Sequence, residues 1–155
     1  MIIKLQVTDP QIAKQILAVQ IPAYQIEAKL IGFDQIPQLR ETVDSLVKSP
    51  LTFYGYIKEE KIVGVIGYEV LNGILEFDRL VVHPDYFRQG IGQSLMQHVF
   101  DVETNVHKYL LSTGADNTPA LRLYKKLGFI EVKQKEVAPC FFLTFLEKEV
   151  KSTTI

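Results

Sequence analysis

Two glycines, Gly90 and Gly92, follow Arg88 in a short loop whose composition suits the binding of phosphate. The loop joins a predicted strand to a predicted helix. Glycines there let backbone N–H groups turn toward one point, and the positive end of the helix dipole attracts phosphate oxygens. Arg88 can add a charge-assisted hydrogen bond. A tight strand-to-helix turn without a ligand needs the same glycines, so both interpretations stay open.

Two better-known phosphate-binding loops do not match this stretch. The P-loop of nucleoside triphosphatases requires Lys followed by Ser or Thr after its last glycine, whereas Gln93-Ser94 follows Gly92 here. A dinucleotide-binding fingerprint requires a small residue where Leu95 stands, and it opens a parallel βαβ unit. This loop instead follows a run of predicted antiparallel strands.

The N-terminal third predicts one strand followed by helices. Asp9 is placed to cap the first helix, with Pro10 at the first helical position. Pro22 removes a backbone donor and is expected to interrupt that helix. The predicted elements are a strand at Ile2–Val7, a helix from Pro10 to Pro22, a second at Ala23–Leu30 stopping at Gly32, and a third from Pro37 to Ser49-Pro50.

The rest of the chain predicts strands alternating with two further helices. Three runs rich in β-branched and aromatic residues are joined by Glu59-Glu60 and by Asn72-Gly73, the latter a strong hairpin signal. The predicted elements are strands at 51–58, 61–71 and 74–82, a helix after Gly90, a strand at Tyr109–Thr113, a helix from Thr118 to Gly128, and strands at Phe129–Lys133 and Phe141–Leu146. This order predicts an α+β fold, a mixed and mostly antiparallel central sheet flanked by helices, in a single domain over residues 1–155.

Composition excludes several classes of function. A formal net charge of -1 over 155 residues gives no broad electrostatic attraction for nucleic acid or an anionic membrane. No apolar run is long enough to span a bilayer. One cysteine and three histidines without metal-site spacing predict neither a disulfide nor a metal centre, and Cys140 is expected to be a buried small residue. A cytoplasmic, metal-free protein is expected.

Two blocks together resemble the GNAT superfamily of N-acetyltransferases. Arg88-Gln89-Gly90-Ile91-Gly92, preceded by Leu80-Val81-Val82-His83-Pro84, is similar to the family's acetyl-CoA motif, and 117–129 is similar to its Asn-x-x-Ala-x-x-Leu-Tyr-x-x-x-Gly-Phe segment. The motif's leading Gln/Arg position holds Phe87 here. The resemblance implies a sheet whose strands splay apart at the acetyl-CoA site. It implies cofactor contacts from Leu80, Val81, Val82, Arg88, Gln89, Gly90, Ile91, Gly92, Gln93, Asn117 and Tyr124.

Acetyl transfer to an amine needs a base for the amine proton and an acid for the departing thiolate. The resemblance places Tyr124 near the thioester sulfur, where a phenol with an ordinary pKa of about 10 can donate a proton at neutral pH. Glu76 is the candidate base, and a chain of water molecules is the alternative. Alternation along a strand predicts that Glu76, Asp78 and Leu80 share one face.

The acceptor is expected to be the primary amine of a small molecule. By resemblance, Tyr24, Glu27 and Phe33 lie in the segment that forms one wall of the acceptor site, and Asp78 is expected to help bind a cationic amine. Packing alone explains the same residues equally well. Two other functions stay open, an acyl-CoA-binding module without transfer activity and an acetyltransferase for a protein N-terminus or lysine. A monomer or a homodimer is expected.

Overall fold

The computed structural model describes residues 1–150, which form seven strands and four α-helices. The strands are β1 (Ile2–Leu5), β2 (Thr52–Lys58), β3 (Lys61–Leu71), β4 (Ile74–Val82), β5 (Lys108–Gly114), β6 (Ile130–Ala138) and β7 (Phe141–Glu149). The helices are α1 (Pro10–Ile31), α2 (Val43–Val47), α3 (Ile91–Val102) and α4 (Thr118–Lys126), with 3₁₀ turns at Pro37–Arg40 and Pro84–Tyr86. The last five residues of the predicted single domain lie outside the described residues.

All seven strands belong to one sheet in the order β1-β2-β3-β4-β5-β7-β6. β4 and β5 run parallel, and the other neighbouring strands run antiparallel. Asn72 and Gly73 both have positive φ angles, as the predicted two-residue hairpin between β3 and β4 requires. The predicted α+β class, with a mixed and mostly antiparallel sheet flanked by helices, is confirmed.

The sheet opens between β4 and β5. Their pairing covers only Ile74–Glu76 against Lys108–Leu110. β4 continues to Val82 along β3, and β5 continues to Gly114 along β7. Beyond the three paired residues the two strands are therefore no longer hydrogen-bonded to each other, which is the splayed arrangement expected from the sequence.

Helices cover both faces of the sheet, and each face has its own hydrophobic core. One core includes Phe77, Leu95 and Phe129 and lies beneath α3 and α4. The other includes Ile16 and Leu46 and lies beneath α1 and α2. Each fully buried side chain of this size contributes roughly 1.5–3 kcal/mol relative to an exposed one, so the helices are held to the sheet mainly by these contacts.

The prediction that Pro22 interrupts the first helix is wrong. α1 runs unbroken from Pro10 to Ile31 with Pro22 inside it, Asp9 as its N-terminal cap and Gly32 as its C-terminal cap. A proline inside a helix costs about 3 kcal/mol. Burial along one side of α1 offsets that cost, through Ala13, Ile16, Val19, Gln20, Tyr24 and Ile31.

The helix predicted from Pro37 is divided into two pieces. Pro37–Arg40 forms a 3₁₀ turn, and α2 begins separately after Thr42. Thr42 and Ser45 cap each other reciprocally, with the Ser45 amide donating to Thr42 Oγ1 at 3.2 Å and the Thr42 amide donating to Ser45 Oγ at 2.9 Å. This capping box starts a new helix rather than continuing the turn.

A register shift in β4 reverses part of the predicted strand pattern. Gly67 faces Arg79, but Tyr68 faces Phe77, so Asp78 is an extra residue on β4. A bulge of this kind turns over the alternation of side chains. Phe77 and Leu80 both pack on the α3 side, whereas Val81 lies in the core on the α1 side. The prediction that Glu76, Asp78 and Leu80 share one face is therefore wrong.

Cys140 is also placed differently from the prediction. It is exposed and has a φ angle of 59° in the turn between β6 and β7. The expectation of a buried small residue rested on the apolar neighbours of Cys140. The turn geometry instead directs this residue outward.

The Arg79 guanidinium is buried beneath α1 and holds three segments together. Arg79 is 5% exposed, and its guanidinium is paired with Glu41 and with Asp78, whose Oδ2 lies 2.6 Å from Nη2. Arg79 Nη1 also donates to Gln20 Oε1 at 2.9 Å, and Gln20 Nε2 donates to Glu41 Oε1 at 2.6 Å. The network connects β4, α1 and the segment before α2, and it satisfies a charge that would otherwise be costly to bury.

We expect Glu41→Ala to lower the free energy of unfolding by about 1–3 kcal/mol, because it leaves a buried charged donor short of its partner. Chemical denaturation measures the change. Asp44→Ala is the matched control, since it removes an exposed carboxylate from the same part of the chain. Its loss is expected to stay below about 1 kcal/mol, the usual contribution of a charge in the first helical turn. Equal losses in the two variants would contradict the assigned role of Glu41.

Candidate active site

A cavity of about 490 Å³ lies where β4 and β5 part. Its walls come from α1, the segment 33–38, the central part of β4, the end of β5, α4 and the β6–β7 hairpin. Its lining includes residues from both hydrophobic cores, because the gap between β4 and β5 is open to both faces of the sheet. The cavity brings together four residues predicted to act on the substrates, Tyr24, Glu27, Glu76 and Tyr124, and also Asp78.

Tyr124 projects from α4 into this cavity. Asn117 starts the helix, since its Oδ1 accepts the Ala120 amide at 3.3 Å, and Pro119 stands in the first turn. The Tyr124 ring is half-buried and packs edge-on against Phe129, with 6.0 Å between ring centroids. Removal from water, and then the nearby Glu27 carboxylate, raise the pKa of Tyr124 above its ordinary value. The phenol is therefore protonated at neutral pH and able to donate a hydrogen.

Glu27 enters the cavity from α1 and contacts the residue that caps α4. Asn117 Nδ2 donates to Glu27 Oε1 at 2.9 Å and also to Thr113 Oγ1 at 3.2 Å. Burial raises the pKa of Glu27, and the hydrogen bond from Asn117 opposes that rise. Both amide hydrogens of Asn117 thus donate to side chains of the protein. The predicted contact of Asn117 with the pantetheine stays a prediction.

Glu76 and Asp78 border the cavity from β4. Both residues are exposed, and the Asp78 carboxylate accepts a hydrogen bond from Arg79 Nε at 2.7 Å. Leu80 also lines the cavity, but because of the bulge it packs on the α3 face of the sheet, as Phe77 does. The structure therefore groups Glu76 and Asp78 with the residues of α1 and separates them from Leu80.

A stacked aromatic pair, which we call the aromatic cover, forms part of the cavity lining. Phe33, just after α1, stacks on Phe141 at the start of β7, with ring centroids 4.0 Å apart and planes within 3° of parallel. Tyr24 is buried on the same side. Its pKa is raised well above the ordinary value, mainly by burial and less by the Glu27 and Asp78 carboxylates, while the Arg79 cation opposes the rise.

The predicted phosphate loop, residues 88–93, lies at the N-terminal end of α3. Arg88 and Gly90 both have positive φ angles, 64° and 75°, and Gly90 is the N-terminal cap of the helix. The first amides of a helix have no acceptor within it, so they point outward. A Cβ added to Gly90 would meet no protein atom within 4 Å, so the space beside this backbone is open. A Cβ on Gly92 would contact Leu80 at 3.6 Å, which places the loop next to the cavity.

Two lysines that the motif does not include also reach this loop. Lys58 Nζ donates to Gln89 Oε1 at 2.5 Å, and Lys126 Nζ donates to Gln93 Oε1 at 3.1 Å. They orient the two glutamine side chains and add positive charge beside the loop. From the sequence, Lys125 and Lys126 are expected on a solvated helix face, with contact to the 3′-phosphate of CoA as the alternative. Neither loop contact is predicted, because Lys58 is 31 positions before its partner and Lys126 is 33 positions after its own. Arg79 was also missed, although an arginine within an apolar strand is a signal of a buried ion pair.

Comparison with known proteins gives this geometry its context. The sequence model of the acetyltransferase (GNAT) family matches residues 15–129, which include the cavity residues of α1, the phosphate loop and Tyr124. The chain belongs to the GNAT acetyltransferase family. The predicted family is thus confirmed. At the level of the family, two further predictions are confirmed: the protein is a transferase that depends on acetyl-CoA, and acetyl-CoA is the co-substrate.

Two curated relatives share part of this GNAT sequence. UPF0157 protein YqkA of Bacillus subtilis is 45% identical over 140 residues, which cover 90% of this chain and 41% of that protein. The ribosomal protein bS18-alanine N-acetyltransferase of Escherichia coli is 41% identical over 54 residues, which cover 34% of this chain and 36% of that protein. The chain therefore spans about two fifths of the length of YqkA, and the segment aligned with the Escherichia coli enzyme covers 36% of that protein.

Solved structures share the fold over nearly the whole chain. The PaiA N-acetyltransferase of Thermoplasma acidophilum, in complex with coenzyme A, has a TM-score of 0.76 at 17% identity and covers 97% of this chain and 98% of its own. The Escherichia coli ribosomal-protein-S18-alanine N-acetyltransferase has a TM-score of 0.73 at 21% identity and covers 99% of this chain and 96% of its own. At these identities the likeness establishes the fold alone.

The residues present fit the coenzyme. The open space beside Gly90 and the outward amides of α3 suit a pyrophosphate, and the gap between β4 and β5 leaves room for an extended arm. No helix within residues 1–150 has both the length and the apolar character needed to cross a membrane. The same residues contain no group of three or more His, Cys, Asp or Glu side chains arranged to hold a metal ion.

Gly90→Val is expected to weaken acetyl-CoA binding at least about tenfold, because a β-branched side chain strains the positive φ angle and fills the open space beside the loop. Gly32→Val is the matched control. Gly32 has a similar φ angle of 67° with no protein atom within 4 Å of an added Cβ, but it caps α1. Calorimetric titration should show a loss of affinity in the first variant only. Unchanged affinity in folded Gly90→Val would contradict the pyrophosphate placement.

Proposed function

We propose that this GNAT domain transfers the acetyl group of acetyl-CoA to the primary amine of a small molecule, with Tyr124 as the general acid. The observation that carries the proposal is the position of Tyr124. Its side chain lines the cavity at the gap between β4 and β5, and its raised pKa keeps the phenol protonated. The phosphate loop lies next to the same gap through Leu80.

The charges around the cavity favour a cationic acceptor. Glu27, Glu76 and Asp78 contribute carboxyl groups to its lining. Arg79 is the one basic residue among the described residues that line it, and its guanidinium is paired with Glu41 and Asp78. An ammonium group gains attraction from such an acidic site, whereas an acidic acceptor is repelled.

The aromatic cover favours a small acceptor. The stacked rings of Phe33 and Phe141 connect the segment after α1 to the β6–β7 hairpin, and both residues line the cavity. Because both rings occupy part of the cavity lining, we expect a slender amine to fit beside them more easily than the bulkier end of a folded protein. Protein acetylation is the second candidate function, and the identity to the ribosomal-protein-S18 alanine acetyltransferase favours it.

Tyr124 has one chemical task in this proposal. Its hydroxyl donates a proton to the sulfur as the C–S bond of the thioester breaks, and a proton lost by the amine nitrogen restores the phenol. Loss of a thiolate without such an acid is slower, and a positioned acid contributes about 10²–10⁴-fold to the rate.

The proposal extends to the setting of the domain. Residues 1–155 are proposed to form one domain that works in the cytoplasm as a monomer or a homodimer and binds neither nucleic acid nor membrane. The formal net charge of -1 supports the absence of nucleic-acid binding.

Tyr124→Phe is expected to lower kcat about 10²–10⁴-fold and to leave acetyl-CoA affinity unchanged, because only the hydroxyl is removed. The pKa of Tyr124 is raised, so its deprotonation lies above the ordinary value of about 10. Wild-type kcat should therefore show no alkaline loss from this group below about pH 10. Free-thiol detection under saturating substrates measures both effects. A Tyr124→Phe enzyme with wild-type kcat, where chemistry limits the rate, would falsify the acid assignment.

A panel of acceptors tests the substrate class. We expect spermidine and tyramine to be acetylated with at least about tenfold higher kcat/KM than an alanine-terminated peptide or glutamate. Phe33→Ala should narrow the difference between amine and peptide, because it removes one ring of the cover. The reverse preference would favour protein acetylation. Binding of acetyl-CoA without thiol release for any acceptor would favour a binding module.

A further inference from the structure

We propose that Glu27, rather than Glu76, is the base that takes the proton from the acceptor ammonium; this role rests on the proposed acetyl transfer. The proposal places the general base on α1, in addition to the general acid Tyr124 on α4. The acid then comes from α4 and the base from α1, and both line the cavity at the gap between β4 and β5.

The first support is the position of the Glu27 carboxylate. It lines the same cavity as Tyr124, and its charge contributes to the raised pKa of the phenol. An acceptor nitrogen that reaches the thioester beside Tyr124 therefore enters the cavity that also contains the Glu27 carboxylate. A base has to lie within hydrogen-bond reach of the proton that it removes.

The second support is the way in which Asn117 fixes this arrangement. Its Nδ2 holds Glu27 Oε1 at 2.9 Å, while its Oδ1 caps the helix that carries Tyr124. Asn117 is 6% exposed and is further anchored to Thr113. One rigid amide thus sets the position of the carboxylate relative to the helix of the acid. The second oxygen of Glu27 has no hydrogen-bond partner among the described residues, which leaves it available to a substrate.

Glu76 lacks comparable support. It is exposed at the mouth of the cavity, and no side chain within residues 1–150 hydrogen-bonds its carboxylate. It pairs across the strands with Glu69, another exposed carboxylate. The exposed Glu76 is placed to attract a cationic acceptor as it enters the cavity. The half-buried Glu27 is placed to take a proton from the acceptor once it is bound there.

The surroundings of Glu27 tune the carboxylate as a base. Burial raises its pKa toward neutrality, which makes it a stronger base, and the Asn117 hydrogen bond favours the ionised form that can accept a proton. The titratable and charged groups that line the cavity around Glu27 are Tyr24 on α1, Tyr124 on α4, and Glu76, Asp78 and Arg79 on β4.

The proton balance of the step is complete. Glu27 takes one proton from R–NH₃⁺, and the free amine attacks the thioester carbon, so that a C–N bond forms and the C–S bond breaks. Tyr124 protonates the departing sulfur, and the second proton lost by the nitrogen returns to Tyr124. Glu27 then releases its proton to water. The sum is an ammonium and acetyl-CoA giving an acetamide, CoA thiol and one proton.

The test compares Glu27→Gln, Glu27→Asp and Glu76→Gln with wild type in pH profiles of kcat/KM. The acceptor is the best of spermidine, tyramine and an alanine-terminated peptide. Wild type should lose activity as the pH falls through the pKa of Glu27. Glu27→Gln should lower kcat/KM about 10²-fold or more and lack this acidic limb, with acetyl-CoA affinity unchanged. Glu27→Asp should recover part of the rate, and Glu76→Gln should raise KM and keep the limb.

A second measurement depends on no acceptor. In Glu27→Gln the new amide oxygen can still accept the Asn117 hydrogen bond but carries no charge, so this variant should have a higher Tm than wild type at pH 8. The gain should shrink toward pH 5, because a carboxyl group with a raised native pKa is increasingly protonated there and its burial then costs little. A Tm difference that does not vary with pH would contradict the half-buried, functional placement of Glu27.

The outcomes separate the two proposals. Wild-type protein that acetylates none of the acceptors overturns the proposed function, and the role of Glu27 with it. Active wild type combined with an active Glu27→Gln variant that keeps the acidic limb overturns only the role of Glu27. Loss of the limb in Glu76→Gln instead would assign the base to β4.

Discussion

The buried charge of Arg79 is the constraint on which the acceptor side of the molecule depends. A guanidinium that is 5% exposed must be fully paired, and its partners come from separate parts of the chain, Gln20 on α1, Glu41 before α2 and the neighbouring Asp78. Meeting that requirement fixes α1 and the segment after it against β4. The wall of the cavity and the position of Glu27 follow from the same contacts.

The gap in the sheet depends on two features of β4. Its parallel pairing with β5 lasts only three residues, whereas β5 is paired with β7 on its other edge from Lys108 to Gly114. The bulge at Asp78 turns the alternation over, so that Arg79 faces α1 while Phe77 and Leu80 face α3. One strand thereby supplies acidic groups to the acceptor side and an apolar surface beside the phosphate loop. A regular strand would place Glu76 and Leu80 on the same side.

The two ends of the site are built on different principles. The phosphate loop uses backbone amides and left-handed residues at a helix N-terminus, which act without titrating. The cavity uses ionisable side chains whose pKa values are changed by burial, with Asn117 connecting Glu27 to the helix of Tyr124. The proposed sites of anion binding and proton transfer are thus separate, and Leu80 lies beside both the loop and the cavity.

The sequence by itself determined the features that are encoded by neighbouring residues. Asp9 and Pro10 start α1, Asn72-Gly73 makes the hairpin, and the loop at Gly90 begins α3, since caps and turns are decided within a few positions. The spacing of two motifs was enough to indicate the family. Tertiary structure alone decided that Pro22 stays inside a helix, because burial along the whole of α1 outweighs a local cost. It also decided the bulge at Asp78 and the meeting of Glu27 with Asn117, 90 positions apart, since both depend on how distant segments pack.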